Sequence, residues 1–155
     1  MSKLIYLMPV WSGCEDFLVR ALQVIQNKAA RSVTRLDYRT PTRVLMQQCG
    51  WLSVRQLMVY HSVALLHKTL QHRSPLYLYQ KITSNGTYQY SSKRAAAGCF
   101  RLPLRSQSQL DLTKRGWCWR SLEQYNQLPA EIRSEPRTNI FKRKLRDWVK
   151  LNVDI

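Results

Sequence analysis

The chain has 155 residues, of which 45% are hydrophobic and 10% aromatic, so it is long enough to bury a core and too apolar to be disordered throughout. Its 25 Lys and Arg residues exceed its 9 Asp and Glu residues by 16, and such an excess favours a polyanionic partner: nucleic acid before an anionic membrane surface or an acidic protein. No stretch approaches the roughly 18 apolar residues of a membrane-spanning helix, so we expect no membrane partner.

The N-terminal part of the chain predicts helices. An apolar run at 4–10 resembles the end of an element whose beginning is missing. From Glu15 to about Arg35, apolar residues recur at helical spacing, with acidic residues at the start and arginines at the end, as the helix dipole favours. We expect this helix to bury one stripe, formed by Leu18, Ala21, Leu22, Ile25, Ala29 and Val33.

Start and stop signals define the next helices. Thr40-Pro41 and Gly50 bound a short helix, and Ser53-Val54-Arg55-Gln56 is a capping box that starts a longer one running to about Gln71. Ser74-Pro75 opens a further short helix that continues through Ile82. The residues that we expect the long helix to bury are Leu57, His61, Ala64, Leu65 and the stem of Lys68.

The second half of the chain changes character twice. Residues 83–116 have the polar composition of a long surface loop, with a small hairpin around Cys99 to Leu102 as the alternative. Apolar periodicity returns at Trp117 and in a last helix at about 138–151, which we expect to bury Phe141, Leu145, Trp148 and Val149.

These elements predict a mainly α fold, a small orthogonal helical array with an irregular, possibly β-hairpin, insert. We expect a helical domain at 1–82, the insert at 83–116, and a C-terminal helical segment at 117–155 that packs on the first domain.

Residues suited to catalysis or metal binding are scattered along the chain. Metal-dependent polymerases and nucleases need clustered carboxylates, and Glu15-Asp16, the only adjacent acidic pair, is explained by the start of a helix. The four cysteines are too far apart for a C-x-x-C clamp, and we expect them to be reduced thiols. We therefore expect no catalytic residue, no metal and no cofactor. The alternative is a metal site formed in three dimensions by Cys49, His61 and Cys118.

Basic residues gather on the first and last predicted helices, away from the predicted apolar stripes. On such faces guanidinium and ammonium groups contact a phosphate backbone with little sequence preference. We therefore expect nucleic acid as the partner, as RNA, DNA or their hybrid duplex. The residues expected to bind it are Arg20, Lys28, Arg31 and Arg35 on the first helix and Lys142, Arg143, Arg146 and Lys150 on the last.

Aromatic residues among basic ones form a second candidate surface. Trp117, Trp119 and Tyr125 lie in a basic stretch, as in proteins that grip single strands by base stacking. Their helical spacing also fits packing in the core, and we favour that interpretation.

One segment resembles a known family. Residues 22–31, with the sequence LQVIQNKAAR, resemble the L-Q-x-x-Q-N-K/R-A-A-R signature that follows the catalytic palm in reverse transcriptases of non-LTR retrotransposons of the jockey type. Further similarities follow the family's order along nearly the whole chain and are weakest in 83–116. They lie at Lys3-Leu4-Ile5-Tyr6 with Val10-Trp11, Thr40-Pro41-Thr42, Gly50-Trp51-Leu52-Ser53-Val54, Tyr60-His61, Leu66-His67-Lys68-Thr69-Leu70, Tyr125 to Arg133, and Phe141-Lys142-Arg143-Lys144-Leu145.

The resemblance implies a thumb and post-thumb region, which in that family holds the template–primer duplex and adjoining element RNA during target-primed reverse transcription. The family's fingers, palm, aspartate motif and endonuclease have no counterpart here, so polymerisation is not carried over. We expect a truncated copy or a domesticated fragment, intracellular and located in the nucleus. The rival expectation is an interaction scaffold whose apolar surface packs against the missing palm or another protein, and a non-functional remnant is the third.

Overall fold

A computed structural model describes residue 5 and residues 7–84 and 116–154, and this part of the chain is mainly helical, which confirms the predicted fold class. The predicted hairpin around Cys99 lies outside the described residues. The described helices are α1 (Met8–Trp11), α2 (Asp16–Thr34), α3 (Thr42–Cys49), α4 (Val54–His72), α5 (Leu76–Ser84), α6 (Trp117–Gln127), α7 (Ala130–Arg133) and α8 (Thr138–Asn152).

Helix α4 is the central element and contacts α1, α2, α5, α6 and α8. The predicted capping box is present: the Gln56 N–H donates to Ser53 Oγ at 3.2 Å, and the Ser53 N–H donates to Gln56 Oε1 at 3.1 Å. The predicted burial of α4 is partly wrong, because His61 and Leu65 are only half-buried and Lys68 is exposed, whereas His67 is fully buried. A helix surrounded by partners buries residues on all of its sides, so no single stripe identifies its buried residues.

The largest apolar core joins α4 to the C-terminal helices. Phe141, Leu145 and Val149 of α8 are fully buried in it, together with Val63 and Leu66 of α4. The last predicted stripe is therefore confirmed for these three residues of α8, whereas Trp148 is only half-buried. Burial of the bulky side chains fixes α8 against α4.

The aromatic residues of α6 belong to the same core. Tyr125 is buried there, and its hydroxyl donates to the Arg133 carbonyl at 3.2 Å. Trp117 packs against this core and is half-buried. The core interpretation is thus confirmed for Tyr125, whose ring is not available for base stacking.

Two smaller apolar clusters attach the first three helices. Met8 of α1 is fully buried in a cluster with Val19, and the cluster also holds Leu52 and Leu57 on the two sides of the capping box. The third cluster lies between α2 and α3 and consists of Ala30, Leu45 and Met46 with their half-buried neighbours. Helix α2 therefore packs on both α3 and α4.

The face of α2 that packs inward is not the predicted one. Leu18, Ile25 and Val33, three members of the predicted stripe, are 43%, 58% and 67% exposed. The buried residues of α2 are Val19, Gln26, Asn27 and Ala30. The prediction was wrong because two of these four residues are amides, which apolar periodicity does not count.

Amide side chains hold α2 against its neighbours. Gln26 Nε2 donates to the Leu52 carbonyl at 2.8 Å, and the Val54 N–H donates to Gln23 Oε1 at 2.8 Å. Asn27 Nδ2 donates to Thr42 Oγ1 at 2.8 Å. The amides of the LQVIQN segment thus bond to groups at the start of α4 and of α3, where backbone groups would otherwise lack partners.

We expect Gln26→Ala to lower the free energy of unfolding by about 1–3 kcal/mol, because it strands the buried Leu52 carbonyl and removes an acceptor for Gln23 Nε2. Urea denaturation followed by circular dichroism measures the change. Val24→Ala, on the exposed face of the same helix, is the control and should cost less than about 0.5 kcal/mol. Equal costs for the two variants would contradict a structural role for the Gln26 amide.

Candidate nucleic-acid interface

One exposed face of α8 carries a row of cations. Lys142, Arg146 and Lys150 are exposed and follow one another at four-residue spacing, so they stand one above another on the helix. Arg143 is also exposed, and it lies beside them because it precedes Arg146 by three residues. All four are predicted site residues, and the structure brings them together on one surface.

Helix α3 and the turn before α4 extend this surface. The Arg146 guanidinium donates to the Gly50 carbonyl at 3.0 Å. Lys150 shares a groove of about 270 Å³ with Arg43, from the first turn of α3, and with Trp51. The term basic edge is used below for five cations, Arg43, Lys142, Arg143, Arg146 and Lys150.

The end of α3 is shaped by Gly50. Its φ of +64° lies in the left-handed region, which a residue without a β-carbon adopts without strain. The Trp51 N–H then bonds back to the Met46 carbonyl at 2.9 Å, which closes the helix end. This turn presents the Gly50 carbonyl to Arg146 and places Trp51 in the groove.

The cations of α8 act on two residues of α4. Burial lowers the pKa of His61, and repulsion by Lys142 lowers it further. Burial raises the pKa of Tyr60, and the nearby positive charge of Arg146 opposes that rise. His61 is therefore neutral at pH 7 and adds no charge to the basic edge.

The five basic-edge cations form no ion pair with the described acidic residues, including the exposed Asp147 of the same helix. Two ion pairs join Arg55 Nη2 to Asp16 Oδ1 at 2.8 Å and Lys144 Nζ to Glu135 Oε2 at 3.0 Å, and neither includes a basic-edge residue. The hydrogen bond from Lys144 also holds the pKa of Glu135 below its usual value. The positive charge of the basic edge is thus left to attract an external anion.

The predicted site residues on α2 do not form a comparable row. Arg20 and Lys28 are exposed, and Lys28 lies among the exposed apolar residues of that helix. Arg35 caps the C-terminus of α2 with a left-handed backbone, φ 56°, and its N–H donates to the Arg31 carbonyl at 2.7 Å.

Arg31 has contacts within the protein. Its guanidinium donates to the Thr40 carbonyl at 3.3 Å, and its carbon Cζ lies 5.1 Å from the ring centroid of Tyr38. Arg31 therefore stabilises the connection between α2 and α3, and it presents less of its side chain to a ligand than the cations of α8 do.

Other kinds of site find no support in the described residues. No group of three or more His, Cys, Asp or Glu side chains there is placed to hold a metal ion, so the alternative site at Cys49, His61 and Cys118 is not formed. Cys14 and Cys49 are free thiols. None of the described helices combines the length and the apolar content needed to span a bilayer.

Sequence reasoning did not find Arg43 and Trp51. Arg43 lies within the short helix predicted after Thr40-Pro41, and Trp51 follows the predicted stop at Gly50. Both helix boundaries are visible in the sequence, but the meeting of α3 with α8 depends on contacts between distant parts of the chain.

No protein-family model, no curated protein and no solved structure matches this chain. The function of the basic edge is therefore inferred from its own geometry and charge.

Proposed function

We propose that this protein binds nucleic acid through phosphate contacts, with little sequence preference and without a catalytic step of its own. The observation that carries the proposal is the basic edge, where five exposed cations from two helices have no acidic partner among the described residues. Such a surface gains affinity for nucleic acid because its binding releases the cations that are condensed on the phosphate backbone.

The dimensions of the basic edge suit a phosphate backbone. From Lys142 to Lys150 the cations span eight residues, or about 12 Å of helix. Duplex DNA carries one negative charge for about every 1.7 Å of its axis, so every cation of the row has a phosphate within reach. Arg43 and Trp51 continue the contact surface across the groove, where the indole offers an apolar surface beside the charges.

The sequence resemblance supports a narrower form of the proposal: a thumb-like, palm-free part of a non-LTR retrotransposon RNA-directed DNA polymerase. Its ligand would be RNA, DNA or a hybrid duplex, and it would act in the nucleus. The amides of the LQVIQN segment have a structural role, since they anchor α2 to α3 and α4. In this proposal the signature maintains the fold, and the cations that follow it in the chain contact the ligand.

A salt titration tests the proposal. If the five cations of the basic edge each contact a phosphate, the plot of log K against log salt concentration should have a slope of about −4.5, that is 0.9 for each contact. Fluorescence anisotropy of a labelled random-sequence duplex provides K at each salt concentration. A slope near zero, or tighter binding to poly-glutamate than to duplex at equal charge, would contradict nucleic-acid binding.

A second candidate function, an interaction scaffold, is favoured by a different observation. Large apolar side chains on α2 are exposed, and exposed apolar patches of this kind mark surfaces where proteins meet. This surface does not include the basic edge, so the two functions are compatible and separately testable.

A further inference from the structure

The groove beside the basic edge lies between α3 and the last turn of α8. Its volume is about 270 Å³, and two of its lining residues, Arg43 and Lys150, are exposed cations. The lining residues from α3 and its C-terminal end follow helical spacing and so share one face of that helix: Arg43, Met46, Gln47 and Gly50. A β-carbon at Gly50 would meet no atom within 4 Å, so the space beside this residue is open.

The Trp51 side chain in this groove is held in place by the fold. It packs against the third apolar cluster, which contains the buried Met46, and it also lines the groove. Its backbone N–H bonds to the Met46 carbonyl at 2.9 Å, which fixes the residue at the end of α3. A ring held by packing loses little conformational freedom when a ligand stacks on it, so the indole is a suitable stacking surface.

The polar groups of the groove do not select one particular base. The Gln56 amide is already occupied, because Oε1 accepts from the Ser53 N–H at 3.1 Å and Nε2 donates to the Val153 carbonyl at 3.0 Å. Gln47 is exposed, and its amide can donate to or accept from an edge of any base. Recognition in this groove therefore depends on stacking, which accepts every base because each has a π-face.

The size of the groove favours a single base over a base pair. Its volume is below the roughly 300–1,000 Å³ of pockets that hold drug-sized ligands. Within a duplex both faces of a base are covered by its neighbours in the stack, so only an unpaired base presents a free face to an indole. The cations beside the groove attract the phosphates on either side of such a base.

We propose that one unpaired base of the bound nucleic acid enters this groove and stacks on Trp51, while Arg43 and Lys150 contact the phosphates on its two sides. The site rests on the nucleic-acid binding proposed above, and it adds the class of ligand: nucleic acid with an unpaired base next to a duplex. Stacking of one base on an aromatic side chain corresponds to a gain in affinity of about fivefold to 150-fold.

Anisotropy titrations on three duplexes with equal numbers of phosphates test the site. One is fully paired, one carries a short single-stranded overhang, and one carries the same overhang built from abasic nucleotides. We expect the wild type to bind the overhang with bases at least about fivefold more tightly than the abasic overhang, and this ratio is called the base preference below. Equal affinity for the two overhangs, with binding to the paired duplex and its salt dependence intact, would overturn the stacking site and leave nucleic-acid binding standing. Failure to bind any of the three would refute the proposed function and this site with it.

Substitution of Trp51 tests which ring stacks on the base. Trp51→Leu keeps an apolar side chain against the third cluster and should abolish the base preference, while the affinity for the paired duplex changes less than about twofold. Trp51→Phe keeps a smaller aromatic ring and should retain part of the preference, and it serves as the test if circular dichroism shows that Trp51→Leu is not folded. Trp119→Leu, at another half-buried tryptophan, on α6, is the matched control and should keep the full preference. An undiminished base preference in the folded Trp51 variants, or an equal loss in Trp119→Leu, would overturn the assignment to Trp51.

Discussion

Replacing Arg43, Arg146 and Lys150 together with alanine should weaken duplex binding by about 500-fold at about 0.1 M salt. Each phosphate contact contributes about 0.9 to the slope of log K against log salt, so losing three contacts reduces the magnitude of the slope by about 2.7 and lowers K at 0.1 M by as many decades. The variant should keep a slope of about −1.8 from Lys142 and Arg143. Anisotropy titrations of the wild type and the variant on one duplex measure both quantities.

The matched control removes the same number of charges from α2, as Arg20→Ala, Lys28→Ala and Arg35→Ala. We expect it to weaken binding by less than about tenfold, since it removes no phosphate contact and changes only the electrostatic potential produced by the net charge of the protein. Equal losses in the two triple variants would mean that binding is spread over the surface and would contradict the basic edge as the site. Circular dichroism establishes that both variants are folded.

Acidification from pH 7 to pH 4 should lower the free energy of unfolding by about 3 kcal/mol through His67 alone. His67 is fully buried and stacks on Phe141, with ring centroids 3.6 Å apart and planes 4° apart. Neither of its ring nitrogens has a hydrogen-bond partner among the described residues. Burial lowers its pKa to about 4, with Glu135 opposing the shift and His72 adding to it.

The direction of the pH effect follows from these two pKa values. The unfolded chain protonates His67 below about pH 6.5, whereas the folded protein resists protonation until about pH 4. The contribution of neutral His67 to the free energy of unfolding is therefore fully present above about pH 6.5. It falls between pH 6.5 and pH 4 and changes little below that range.

His67→Leu is the test variant for this effect. Leucine cannot be protonated, so the unfolding free energy of the variant should change much less between pH 7 and pH 4.5, with a smaller slope left from His61. Urea denaturation at a series of pH values measures the difference in slope, which does not depend on any change in stability at pH 7. An unchanged slope in the variant would show that His67 is not the group that titrates.

Several helix boundaries could be predicted from the sequence because their signals are local. The reciprocal bonds of Ser53 and Gln56 and the left-handed backbone of Gly50 depend on residues within one turn of each other. The apolar stripe of α8 was also predictable, because that helix lies on the core with one side and has its charges on the other.

The inner side of α2 could not be predicted in this way. Gln26 and Asn27 are buried because their amides meet groups at Leu52 and Thr42, which are 26 and 15 residues away in the sequence. The periodicity of one helix contains no information on those partners, so the apolar residues of α2 were assigned to the wrong side.

The sequence by itself determined a mainly helical chain with strong positive charge, the positions of most helix ends, and the row of cations on α8. The tertiary structure decided which side of α2 is exposed and that Arg43 joins Lys150 across one groove. The physical reason is the sequence separation of the interacting residues. Helix caps and apolar stripes depend on residues within a few turns of each other, whereas the pairing of polar groups and the meeting of α3 with α8 depend on contacts between distant segments.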